Sequence, residues 1–178
     1  MRIHRTELEG VLVLEPEVFS DIRGFFLETY NEKTYAAAGI TERFVQDNQS
    51  RSTRGVLRGL HYQLGNPQGK LIRVLHGEVY DVAVDIRPGS SSFGKWTAVQ
   101  LKAAEHKTIW IPKGFAHGFY TLSESADIAY KVTEFYAPRE ERTLLWNDRE
   151  LAIPWPLCGE PIVSDKDRAG QPLRDIAT

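Results

Sequence analysis

The chain predicts an all-β fold: a double-sheet jelly roll with short flanking helices. Three observations support it. Apolar runs are short and are separated by turn residues along most of the chain. The stretch Glu78–Ile86 alternates with period two, Tyr80, Val82, Val84 and Ile86 forming an apolar face against Asp81, Ala83 and Asp85. Helix-like composition is confined to brief stretches. With 178 residues the chain is expected to form one domain, 1–178, with a core of its own.

Taken in order, Val11–Glu15 and Gly24–Thr29 read as the first strands. A helix is expected near Asn31–Ala38, because Asn31 can cap it, its alanines favour it and Gly39 can stop it. The polar run Gln46-Asp47-Asn48 reads as a loop. Val56–His61, Lys70–His76 and Glu78–Ile86 follow as strands. His76-Gly77-Glu78 reads as a tight turn between two of them, and Arg87-Pro88-Gly89-Ser90 closes the third. Lys95–Leu101, Lys107–Ile111, Ala116–Leu122 and Asp127–Thr133 complete the set. From Leu151 the chain is rich in proline and charge, as befits a tail that wraps the surface or carries a short helix around Asp165–Ala169. So many short strands suit a barrel whose mouth holds a ligand.

A net charge of −2 gives no support for a nucleic-acid partner. No apolar run has the length of a membrane span, and the N-terminal residues lack an apolar signal core. The single cysteine, Cys158, excludes an intrachain disulfide and suits a reducing compartment, so a cytoplasmic location is expected. Cys158 itself is read as a small buried apolar residue.

The residues able to carry chemistry each have a bland and a functional reading. His61, in GVLRGLHYQ, is a packed or surface histidine, or a general base, since imidazole titrates near neutral pH. By strict strand alternation Arg58 points away from His61 unless a bulge or Gly59 shifts the phase. His117, in IPKGFAHGFY, sits among glycines that would let another group approach closely. Tyr130 is strand packing or a proton donor. Lys70 is a solvated lysine or, in a pocket, a stabiliser of an oxyanion. Arg23 and Glu28 bracket an aromatic strand, where edge-strand charge is the simpler reading. Asp165-Lys166-Asp167 reads as a solvated cluster. With no Gly-rich phosphate loop and no Ser-His-Asp order, the inventory fits proton transfer beside a carbonyl on an anionic ligand better than hydrolysis.

The His61 and His117 frames resemble the two signature segments of the cupin superfamily. Metal-binding cupins carry a second histidine two residues after the first, and an acid shortly after that. Here the second position is Gln63, and no acid follows before Lys70. Two histidines alone do not make the three-ligand open site of metal catalysis, so no metal is expected. Beyond these frames, DIRGFFLETYN, FVQDNQSRSTRGVLRGLHYQ, QGKLIRVLHGEVYDVAVDIR, SSFGKW, WIPKGFAHGFYTLSESADIAYKVTEFYAP, WNDRELAIPWP and SDKD resemble, in order, the dTDP-4-dehydrorhamnose 3,5-epimerase family.

That resemblance implies a cupin-type jelly roll, a homodimer, no metal and no cofactor. It implies a dTDP-sugar substrate, dTDP-4-dehydro-6-deoxy-D-glucose, inverted at C3 and C5. It also implies His61 as base with Asp167 as its partner, Tyr130 as acid on the other face, and Lys70 as oxyanion stabiliser beside Arg58 and His117. Gln46, Asn48, Glu141 and Lys166 would contact substrate, and Tyr136 would stack on thymine. Arg23 and Glu28 would reach the partner's site on an exchanged strand. The competing readings are a C3-only epimerase, which a retained Tyr130 disfavours, a non-catalytic sugar-nucleotide-binding cupin, and a metal-dependent cupin oxygenase, which needs more ligands than these two histidines.

Overall fold

The computed structural model describes residues 1–176. The strands, in chain order, are β1 (Arg2–Arg5), β2 (Leu12–Glu15), β3 (Val18–Asp21), β4 (Gly24–Leu27), β5 (Gln46–Thr53), β6 (Leu57–Gln63), β7 (Lys70–His76), β8 (Glu78–Asp85), β9 (Trp96–Lys102), β10 (Thr108–Ile111), β11 (Phe115–Thr121), β12 (Ser125–Val132) and β13 (Glu141–Thr143). They form a six-stranded sheet, β1-β2-β10-β7-β12-β5, and a five-stranded sheet, β13-β6-β11-β8-β9. Strands β3 and β4 stand apart as a hairpin. The expected all-β jelly roll is the observed one.

Two short helices flank the sheets. In α1 (Glu32–Ala37) Asn31 is the N-cap, its side chain accepting from the amides of Lys33 and Thr34, and Gly39 follows with φ +90°. This is the expected helix, and it buries Tyr35 with Ile40 against Leu14, Leu71 and Trp110 on the outer face of the six-stranded sheet. The second, α2 (Asp165–Arg168), is capped by Ser164 and lies in the tail. The tail covers the outer face of the other sheet, where Leu151, Trp155 and Val163 pack on Leu57, Val82, Val84 and Tyr120. Between the sheets, Val13, Ile72, Val79, Ala83, Ile109, Phe115 and Ile128 form the interior core.

Several expectations change. Gln46-Asp47-Asn48 is not a loop but the start of β5, an edge strand in which alternate residues are more buried. The period of β8 is as read, but both faces are buried: Tyr80, Val82 and Val84 meet the tail, while Val79 and Ala83 face the interior core. Asp81 and Asp85 are fully buried with them. Cys158 is exposed rather than buried; its backbone amide donates to the Tyr120 hydroxyl at 3.1 Å. Strands β1, β3 and β13 were unmarked in the sequence because each is four residues or shorter and mostly solvent-facing or polar.

The turn at Gly77 joins strands of different sheets, β7 and β8, through one residue. Its φ is +75°, and a Cβ there would lie 2.0 Å from the carbonyl oxygen of Ser125. Gly77→Ala is therefore expected to cost about 2 kcal/mol or more. Urea unfolding of the purified variant checks this; an unchanged midpoint would contradict it.

Candidate active site

Above the interior core the two sheets diverge around a cavity of about 360 Å³, within the range of small-molecule sites. One wall is Gln46, Asn48 and Ser50 of β5, Lys70 of β7 and Tyr130 of β12; the other is Arg58 and His61 of β6 and His117 and Phe119 of β11. Tyr136, Glu141 and Lys166 stand around the cavity with them.

Arg58 and His61 share this wall because β6 carries a bulge. His117 pairs with His61 and Phe119 with Arg58, so two steps along β11 match three along β6. The extra residue reverses the alternation, as such a bulge must. Glycines permit it: a Cβ on Gly59 would lie 2.5 Å from the His117 carbonyl oxygen, and one on Gly118 would lie 2.6 Å from that of Arg58. The simple expectation that Arg58 faces away from His61 is thus corrected by the phase shift that Gly59 left open.

The bulge also serves Asp167. The Gly59 amide donates to Asp167 Oδ2 at 3.2 Å, and Asp167 Oδ1 is hydrogen-bonded to His61 Nε2. Asp167 is thus a buried residue and not part of a solvated cluster. Its place follows from the tail, which is bridged to the barrel on both sides of α2: Ile162 beside Val56, and Gln171 beside Leu144. Burial pushes the Asp167 carboxyl up, but the bonds from His61 and Gly59 outweigh this and hold it below the ordinary range. With Nε2 turned to a carboxylate, a neutral His61 carries its proton there and keeps Nδ1 as the basic nitrogen.

A second imidazole–carboxylate pair lies beside the first. His117 Nε2 contacts Asp81 Oδ2 at 2.9 Å, and burial holds the His117 pKa below the usual value even with Asp81 adjacent. Lys70 is buried, and its ammonium donates to the His61 carbonyl oxygen at 3.2 Å. Burial lowers its pKa to about 8, with Asp81 and Glu141 pulling the other way. Burial raises the Tyr130 phenol, with Arg58 opposing, so this hydroxyl keeps its proton at neutral pH.

At the rim the Tyr136 hydroxyl donates to Glu141 Oε2 at 2.9 Å, and Lys166 Nζ donates to Glu141 Oε1 at 3.0 Å. Gln46 Nε2 donates to Asn48 Oδ1 at 2.8 Å. Arg58 is fixed by Ser52 Oγ at 2.9 Å and the Arg51 carbonyl at 3.1 Å. Arg23 and Glu28 do not line this cavity. Arg23 pairs with Asp21 in the β3–β4 hairpin, and Glu28 accepts from Asn31 and Thr34. The hairpin exposes Phe19, Ile22, Phe25 and Phe26.

Among the described residues no group of three or more His, Cys, Asp or Glu is placed to hold a metal ion, and no helix is long and apolar enough to cross a membrane. Sequence reasoning missed Asp81. The signal was present: Val79 and Ala83 share its face of β8, and a strand apolar on both faces is buried on both.

Comparison with known proteins places the chain in a family. The family model described as dTDP-4-dehydrorhamnose 3,5-epimerase matches residues 5–175. The dTDP-4-dehydrorhamnose 3,5-epimerase of Pseudomonas aeruginosa is 53% identical over 98% of this chain and 97% of its own. The dTDP-6-deoxy-D-glucose-3,5-epimerase of Legionella pneumophila, solved with dTDP-4-keto-L-rhamnose, superposes with a TM-score of 0.96 at 51% identity, covering 99% of this chain and 94% of that one. The Bacillus anthracis dTDP-4-dehydrorhamnose 3,5-epimerase, solved with TDP and PPi, gives 0.92 at 46% identity over 96% of this chain and 98% of its own. The chain belongs to the dTDP-4-dehydrorhamnose 3,5-epimerase family.

Proposed function

We propose that this protein inverts C3 and C5 of dTDP-4-dehydro-6-deoxy-D-glucose to give dTDP-4-dehydro-L-rhamnose. The observation that carries the reading is the placement of a paired imidazole and a protonated phenol on opposite walls of one cavity. His61 stands on β6 and Tyr130 on β12, with the Lys70 ammonium reaching from β7 to the His61 carbonyl. Inversion at carbon needs this separation, because the proton leaves from one face and returns on the other.

The C4 ketone acidifies the hydrogens on both neighbouring carbons. His61 Nδ1 takes a proton from C3 or C5, and the C–H electron pair moves into the ring to form an enolate with its charge on O4. Asp167 stabilises the imidazolium that results. Lys70, itself buried, stabilises the oxyanion, since charge interactions strengthen away from bulk water. Tyr130 delivers a proton to the opposite face, and the C4 carbonyl re-forms. Exchange with solvent restores both groups before the second inversion. His117, oriented by Asp81, and Arg58 contact the substrate beside the reacting carbons. Gln46, Asn48, Glu141 and Lys166 bind the nucleotide part, and Tyr136 stacks on thymine.

The assembly we infer is a homodimer. Its exposed aromatic hairpin would cross to a second copy and carry Arg23 and Glu28 to that copy's site. The four bulky side chains on the hairpin and the open edge of β5 support this. One folding unit and a cytoplasmic place of action, where nucleotide sugars are made, complete the reading.

The primary test is NMR of the substrate in deuterated water with the purified protein. Deuterium at both C3 and C5 is expected, with an L-rhamno product trapped by a reductase. Label at C3 alone would replace this reading with single-site epimerisation, and no label would remove it. His61→Ala should lower exchange at both carbons by roughly 100- to 10,000-fold. Tyr130→Phe should retain proton abstraction while inversion at C5 fails.

The pH profile tests Lys70 separately. A lysine lowered to about 8 is charged below that pH and loses its charge as pH rises through it. Activity should therefore fall on the alkaline side with a midpoint near pH 8, and in Lys70→Arg that limb should move upward, since guanidinium stays charged. An unmoved limb would assign the titration to another group. For the assembly, Phe26→Asp should give a monomer without activity, read by sedimentation and turnover; an active monomer would refute the exchanged hairpin.

A further inference from the structure

Gln63 stands where a metal-binding cupin would place its second histidine, and the mechanism above gives it no task. It is nevertheless buried at the end of β6 and its amide is engaged. Nε2 donates to the carbonyls of Asn66 at 2.8 Å and Phe135 at 3.3 Å, and Oε1 accepts from the Ala137 amide at 2.9 Å. Two further glutamines grip the same segment. Gln68 Nε2 donates to the Glu134 carbonyl at 2.8 Å, and the Tyr136 amide donates to Gln46 Oε1 at 3.1 Å. Three side-chain amides thus hold the backbone of four consecutive residues, 134–137.

This segment joins β12 to β13 and belongs to neither strand. Burial does not hold it: Phe135 is 66% exposed and Tyr136 50%. The Tyr136 ring is held at its tip by the hydroxyl's bond to Glu141 Oε2 and at its base by the backbone hydrogen bonds of the segment. Gln63 contributes bonds on both sides of Tyr136, to Phe135 and to Ala137, and so fixes the direction in which that side chain leaves the chain. Both of its amide hydrogens are used, so it has no donor left for a ligand.

We propose that Gln63 is a positioning residue for nucleobase recognition, acting through the Tyr136 segment. Its side-chain amide acts as a backbone clamp for the nucleotide subsite. This rests on the reading above that Tyr136 stacks on thymine.

The experiment is calorimetric titration of dTDP into the full chain as wild type, Gln63→Ala, Tyr136→Ala and the double variant. Base stacking on an aromatic side chain contributes enough that Gln63→Ala should raise the dissociation constant about tenfold. In the Tyr136→Ala background the same change should have less than about a twofold effect, because coupled sites are not additive. With substrate, KM should rise by more than kcat falls. Should Gln63→Ala fail to fold, Gln63→Glu keeps the size and the acceptor for Ala137 but not the donors, and Gln68→Ala removes one bond only. Both should weaken dTDP and lose that effect without Tyr136. An equal loss in both backgrounds, or a loss confined to kcat, overturns the role of Gln63 while leaving the epimerase reading intact. A wild-type chain that does not bind dTDP overturns both.

Discussion

One surplus residue in β6 brings Arg58, His61 and Asp167 together at the cavity. Without it, strand alternation would place Arg58 on the face opposite His61, and the Gly59 amide would belong to an ordinary ladder. With it, the guanidinium and the imidazole share a wall, and a backbone donor is released to bind Asp167. The steric condition is severe, since β6 and β11 approach so closely that neither Gly59 nor Gly118 has room for a side chain. A bulge of this kind is a built feature of the site and not a defect of the sheet.

The charges in the cavity form a second level of organisation. Placing an ammonium in the interior opposes its protonation, yet the same burial strengthens its attraction to any neighbouring negative charge. Lys70 resolves this through its neighbours, Asp81 and Glu141, which restore part of the affinity for the proton that burial removes. The two imidazoles are treated differently. His117 is the less exposed of the two and burial lowers its pKa, whereas His61 is more open to the cavity they both line and has a buried carboxylate behind it. A neutral hydrogen-bonding ring and a ring able to take up a proton thus stand on adjacent strands.

Most of the barrel was legible because period two and turn chemistry are local signals. Asn31, Gly39 and Arg87-Pro88-Gly89-Ser90 needed no tertiary information. The failures share a cause. The start of β5, Gln46-Asp47-Asn48, reads as a loop because its inward residues Gln46 and Asn48 are polar, as suits the cavity they line. Asp81 lies on the face of β8 where the acids mask the apolar signal of Val79 and Ala83, and that face is packed in the interior core. Asp167 sat in a charged cluster whose burial depends on where the tail docks. Resemblance singles out Arg58 together with His61, Tyr130 and Lys70, but alternation along one strand does not give the phase of Arg58 relative to His61, since a bulge is a property of two strands and not of one.

The docking of the tail has a temporal consequence. His61 and the carboxylate that partners it are 106 residues apart. On a ribosome adding about 5–20 residues per second, the imidazole is made roughly 5–20 s before its partner. Strands β6 to β12 can assemble during that interval, enclosing a cavity whose histidine has no anion behind it. The His61–Asp167 contact therefore closes as a late step, when the segment bearing α2 settles onto a finished barrel. A probe of that contact during refolding would report the docking of the tail, with the earlier formation of the sheets silent to it.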